Sequence, residues 1–163
     1  MGVPIKTCFP YTSGDTGDVP PCSNACSGWQ SHVYKISGYY PVHYTVAAIK
    51  NAIYTYGPVV ATIDVYSDLF YNYTSGIYYY NYLGNNPTYE SGHNVLVVGY
   101  NDTGSYFIVK NSRGPTWGES GFFRIAYSEV GGTTNFGLQT IAYGGAALYN
   151  TIPKPPTNLR RIP

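Results

Sequence analysis

The chain has 163 residues, 44% of them hydrophobic and 10% charged, with a formal net charge of +1. This size and apolar content suit one domain with a sizeable core and exclude disorder. The near-neutral charge gives no reason to place nucleic acid or an anionic membrane among its partners, and no apolar run approaches the ~20 residues that a bilayer span needs.

Met1-Gly2 reads as an added start. Residues 3–30 are rich in Pro, Gly, Ser and Asp and read as a loop pinned by Cys8, Cys22 and Cys26. Three cysteines are an odd number, so one lacks an internal disulfide partner. Zinc would need a fourth ligand and usually tighter Cys-x-x-Cys spacing, so no metal site is assigned, and no other cofactor. Residues 33–36 predict a short strand. Residues 45–56 carry Val46, Ile49, Ala52 and Ile53 as a helical stripe, with Thr45 able to cap the start and Gly57-Pro58 to stop it. Residues 59–65 predict a strand, and 66–82 are dense in tyrosine with a turn at Gly76. Residues 95–100 and 105–110 predict two strands around Asn101-Asp102-Thr103-Gly104, a hairpin signal. Residues 122–127 and 137–143 predict two more. Pro153, Pro155, Pro156 and Pro163 mark 150–163 as a stiff linker or tail, leaving 3–149 as the domain. Tyrosine and glycine richness with few charges suits a β-rich, secreted or extracellular domain.

The hairpin carries the chemistry. With its turn centred near residue 102, antiparallel pairing sets His93 across from Asn111, on one face and within contact distance. A carboxamide oxygen can hold one imidazole N–H and leave the other ring nitrogen for a nucleophile. The same spacing suits a histidine merely satisfied at a strand end.

The literal residues add more. Gly-His-Asn-Val-Leu-Val-Val-Gly-Tyr at 92–100 resembles the histidine motif of papain-like cysteine peptidases. Lys-Asn-Ser-Arg-Gly-Pro-Thr-Trp-Gly-Glu-Ser-Gly-Phe-Phe-Arg-Ile at 110–125 resembles their asparagine motif. Gly57-Pro58-Val59 with Ile63-Asp64, Phe70-Tyr71 with Ser75-Gly76-Ile77-Tyr78, and Cys8-Phe9-Pro10-Tyr11 are similar to further family segments, in family order over roughly residues 8–143. The resemblance implies an α+β fold: the β-rich, antiparallel barrel-like right-hand domain of a two-domain peptidase, with one short helix. The helical left-hand domain, which holds the nucleophilic cysteine, is absent. Cys26 precedes His93 by far less than the family's ~130–150 residues between nucleophile and histidine, so Cys26 reads as structural.

In the intact enzyme the resemblance implies that His93 pairs with the thiolate and protonates the leaving amine, while Asn111 orients His93. It implies that Thr62, Gly92 and Asn94 line part of the pocket for the side chain next-but-one before the cleaved bond, and that Trp117 packs over the asparagine motif. For these residues ordinary strand and core roles remain open. Cys8, Cys22 and Cys26 resemble the cathepsin B arrangement, which implies a Cys8–Cys26 disulfide with Cys22 free or bonded to the left-hand domain. Two positions depart from the family. Arg113 stands where a tryptophan usually shields the Asn–His hydrogen bond, so either Arg113 turns outward or the imidazolium is disfavoured. Phe136 stands where many relatives have a disulfide cysteine. The implied partners are the left-hand domain, peptide or protein substrates, and other copies of the chain through a bare apolar face. The expected function is the His/Asn half of a peptidase, inactive alone; the alternative is a non-catalytic pseudo-peptidase or protein-binding module.

Overall fold

The computed structural model describes residues 3–10, 12 and 19–148. The Met1-Gly2 start and the 150–163 tail lie outside them. Two compact units can be told apart: Tyr40–Ala142 is one, and the described residues outside it make up the other.

In the smaller unit, β1 (Val3–Pro4) pairs antiparallel with the start of β2 (Val33–Val42), Val3 opposite Tyr34 and Pro4 opposite Val33. The strand expected over 33–36 is longer than its clearest β-branched signal, because Tyr39 and Tyr40 are also strand formers and carry it past Gly38. Cys8 and Cys26 are joined by a disulfide, and the Cys26 N–H donates to the Cys8 carbonyl at 2.9 Å. Cys22 is free and exposed, and opens a three-residue 3-10 turn, Cys22–Asn24.

In the larger unit, α1 (Val46–Tyr56) starts where Thr45 Oγ1 accepts the Ala48 N–H at 3.2 Å. It stops at Gly57, whose φ of 85° a side chain would strain. Ile49 and Ala52 are its buried face. The sheet of this unit runs in the order β8, β3, β5, β6, β7, β4; β8 (Thr140–Leu148) joins it through its first residues, Thr140 and Ile141, and the others are Val59–Tyr66, Tyr89–Asn101, Tyr106–Lys110, Phe122–Ala126 and Ile77–Tyr78 respectively. Neighbours are antiparallel except β4 and β7, which run parallel. The fold is the α+β class expected, with an open strand order. A second helix, α2 (Ser67–Asn72), joins the single one anticipated. It was hidden because its apolar contacts, Leu69 and Phe70, span too little chain to show a period.

Burial alternates along the strands as half-buried strands require. Val59, Ala61, Ile63 and Val65 of β3, Val95 and Val97 of β5, Phe107 and Val109 of β6, and Phe123 and Ile125 of β7 are buried in one cluster with Ile49. Each of the Val, Ile and Phe side chains among them contributes roughly 1.5–3 kcal/mol of transfer free energy. Phe136 is fully buried against Phe107, their centroids 5.8 Å apart, so packing fills the position where the resemblance would put a disulfide cysteine.

Candidate active site

His93 stands on β5 between two neighbours. On one side β3 fixes it: Ile63 pairs with His93, Thr62 with Asn94 and Asp64 with Gly92. On the other side runs β6. Val97 pairs with Val109 but Gly99 with Ile108, so Val98 is an extra, bulged residue. Asn101 pairs with Tyr106, three positions out of register from a turn centred at residue 102, and the bulge takes back one. Past Lys110 this register sets Asn111 opposite Val95, two residues from His93. The direct opposition expected from the sequence is therefore corrected to a diagonal one. A slip of two is even, so it leaves both side chains on the same face.

The two side chains meet across that diagonal. His93 Nε2 lies 3.0 Å from Asn111 Oδ1. The same Oδ1 accepts the Ser112 backbone N–H at 2.8 Å, which turns the oxygen end of the carboxamide to the ring. Nε2 must therefore carry the proton and donate, leaving Nδ1 for another partner. The Asn111 backbone N–H donates to the Gly121 carbonyl at 2.9 Å, holding the residue where β6 ends.

His93 borders two concavities. One, open and about 300 Å³, is lined by Thr62, Gly92 and Asn94 together with Asp64, Asn135 and Gln139. Asp64 accepts from Asn135 Nδ2 at 2.7 Å, and Thr62 Oγ1 accepts the Gln139 N–H at 3.0 Å, so loop 134–139 forms its far wall. Sequence reasoning found the first three lining residues and missed the others. Asp64 was within reach, since it shares a strand face with Thr62; Asn135 and Gln139 carry no local signal. The second, a recess no larger than about one water, is lined by Asn111, Arg113, Trp117, Phe70 and Phe123 among others.

Trp117 stacks on Tyr73, centroids 5.5 Å apart, meets Phe123 edge-on, and its Nε1–H donates to the Phe70 carbonyl at 3.4 Å. It is thus both core aromatic and recess wall. Arg113 is exposed, and its guanidinium lies 3.5 Å from the centroid of the Phe70 ring. Its charge rests on an aromatic face, an arrangement that needed a residue 43 positions away and could not be read from the motif.

Behind the recess a closed circuit ties the 111–121 segment down. Arg124 Nε donates to both Glu119 oxygens at 3.1 and 3.0 Å, and Nη2 donates to Oε1 at 2.5 Å. Glu119 Oε1 also accepts the Gly76 N–H at 3.0 Å. Tyr73 O–H donates to the Gly76 carbonyl and accepts the Arg124 N–H. Burial pushes the Glu119 carboxyl up, but the bonds from Arg124 and Gly76 outweigh it and hold the group below its ordinary value. Burial pushes the Tyr73 phenol up to about 12, so it stays a neutral donor.

A family model described as papain family cysteine protease matches residues 1–143. This chain belongs to the papain family of cysteine proteases. Cathepsin B-like CP3 of Giardia intestinalis is 37% identical over 149 residues, covering 88% of this chain and 47% of that protein. A gut-specific cysteine proteinase of Caenorhabditis elegans is 36% identical, covering 85% of this chain and 42% of that protein. Among solved structures, the proCathepsin B S9 of Trypanosoma congolense superposes with a TM-score of 0.68 at 27% identity, over 90% of this chain and 49% of that one. The digestive procathepsin L 3 of Tenebrio molitor gives 0.66 at 26% identity, over 88% and 44%. The papain-family chain described here spans less than half the length of these relatives, which leaves room for a partner domain.

Proposed function

We propose that His93 and Asn111 are the catalytic histidine and its orienting asparagine in a papain-like cysteine peptidase, and that the thiolate comes from a left-hand domain. The observation that carries this reading is the 3.0 Å contact between His93 Nε2 and Asn111 Oδ1, with Oδ1 fixed by the Ser112 N–H. It commits Nε2 to donation and frees Nδ1 for the sulfur. The chain's own cysteines are poor candidates for that sulfur. Cys8 and Cys26 are bonded to each other, and Cys22 opens a 3-10 turn rather than the helix whose N-terminus would favour a thiolate.

The thiolate, held in an ion pair by an imidazolium protonated at both nitrogens, attacks the peptide carbonyl carbon. Nδ1–H then passes its proton to the leaving nitrogen as the C–N bond breaks, giving a thioester. Nδ1 next takes a proton from the water that attacks the thioester, and the thiolate departs. Throughout, Asn111 holds the ring in one orientation. Thr62, Gly92 and Asn94 offer their concavity to a side chain on the acyl side of the bond. A secreted setting fits the Cys8–Cys26 bridge, and one relative is named gut-specific.

The test is fluorogenic peptide hydrolysis by this chain refolded with its left-hand half, against either half alone. The mixture cleaves, thiol-directed epoxides block it, and this chain alone does not cleave. His93→Ala costs at least ~100-fold in turnover, the scale of acid–base catalysis, and Asn111→Ala costs less because the ring still reaches the thiolate. Cleavage by this chain alone, stopped by alkylating Cys22, would overturn the assignment. Arg113 in place of the family's tryptophan is what favours the second reading, a non-catalytic binding module; an intact complex of both halves without hydrolysis would select it.

A further inference from the structure

We infer that Arg113 selects substrates with a carboxylate side chain on the first residue after the cleaved bond. The inference rests on the peptidase reading above. His93 borders both concavities, the open one with Thr62 and Asn94 and the recess with Arg113 and Phe70. If the acyl side of a peptide occupies the first, the chain crosses His93, which must protonate the leaving nitrogen. The leaving-group side then runs out past Arg113 on the other flank.

The guanidinium there is arranged as a receptor. Its face is taken by the Phe70 ring at 3.5 Å, and Phe70 is itself held by the bond from Trp117 Nε1 to its carbonyl. Stacking uses the face of a guanidinium and leaves the N–H fork in its plane free to grip a carboxylate. Among the described residues, Glu119 is committed to Arg124 and Asp102 to Lys50, while no carboxylate pairs with Arg113. Asp64, the carboxylate in the neighbouring concavity, is bonded to Asn135. A stacked, exposed and uncompensated arginine next to the reacting bond favours an incoming anion and disfavours a cation.

The experiment compares kcat/KM of the assembled peptidase, this chain with its left-hand domain, on matched amidated peptides bearing Glu or Gln after the cleaved bond. The wild type prefers Glu about fivefold, the scale of one partly exposed charge pair. Arg113→Gln brings the ratio near one, and Arg113→Lys keeps part of it. The ratio is read within each variant, so any loss of overall rate cancels. An equal ratio in wild type and Arg113→Gln overturns the inference while leaving the peptidase reading intact. No hydrolysis of any peptide by the wild-type assembly overturns the peptidase reading, and this inference with it.

Discussion

Replacing Glu119 by glutamine removes one charge from the circuit behind the recess while keeping its volume and the Oε1 that accepts the Gly76 N–H. What is lost is the charge-assisted grip on Arg124. The two side chains are 27% and 33% exposed, so the loss falls between that of a surface pair, up to ~1 kcal/mol, and a broken buried pair, ~3–5 kcal/mol. About 1.5 kcal/mol is expected after allowing for solvent screening, or about 5 °C in Tm for a chain of this size. The folded pKa of Glu119 lies below its ordinary 4.5, so its contribution is fully present above that value and is lost as pH falls through the lower, folded one. The gap between wild type and Glu119→Gln is therefore open at pH 7 and narrows as pH falls below 4.5 toward the lower, folded pKa. Thermal melts of both proteins by circular dichroism, from pH 7 to pH 3, read it directly. A gap that is equally large at both ends, or absent at pH 7, would refute the reasoning.

Breaking the Cys8–Cys26 bridge by Cys26→Ser opens a loop of about 19 residues and costs ~3 kcal/mol in the chain-entropy model, measured by urea unfolding. Non-reducing peptide mapping finds Cys22 as the alkylatable thiol; Cys22 bridged to Cys8 would contradict the pairing. Phe136→Ala empties a fully buried site beside Phe107 and costs about 3–5 kcal/mol, so its urea midpoint drops well below that of a surface Tyr54→Ala control. On the proposed reading, in which a left-hand domain covers an apolar face, the chain on its own self-associates, and strictly monomeric sedimentation at high concentration would count against this.

What could be read from the sequence was local. Thr45 and Gly57-Pro58 bracket α1 because a capping hydroxyl and a residue free to take positive φ act within one turn of chain. The hairpin around Asn101–Gly104 was legible for the same reason, and from it the shared face of His93 and Asn111. Its register was not, because the turn closes with Asn101 opposite Tyr106, three positions from the centre read off the residues, and the bulge at Val98, which no local residue announces, takes back only one. The remainder of the site is long-range. Phe70 under Arg113, Gly76 on Glu119 and Asn135 on Asp64 each join residues 43 or more positions apart. No period or motif announces such pairs, and the family's tryptophan at position 113 gave no hint that an aromatic from α2 would support an arginine there.

The extra residue at Val98 has a consequence for how this hairpin can change length. Between the turn and the site, β5 holds one residue more than β6 requires, and the surplus is parked at one point. Below that point β3 grips β5 from Val59–Val97 to Ile63–His93, independent of the turn. A one-residue deletion or insertion near the tip can be taken up by flattening or enlarging the kink, and the imidazole keeps its phase. The same change between His93 and Val97 has no such slack and would rotate the ring to the opposite side of the sheet. Length variation in this part of the chain should therefore be tolerated on one side of Val98 and not on the other.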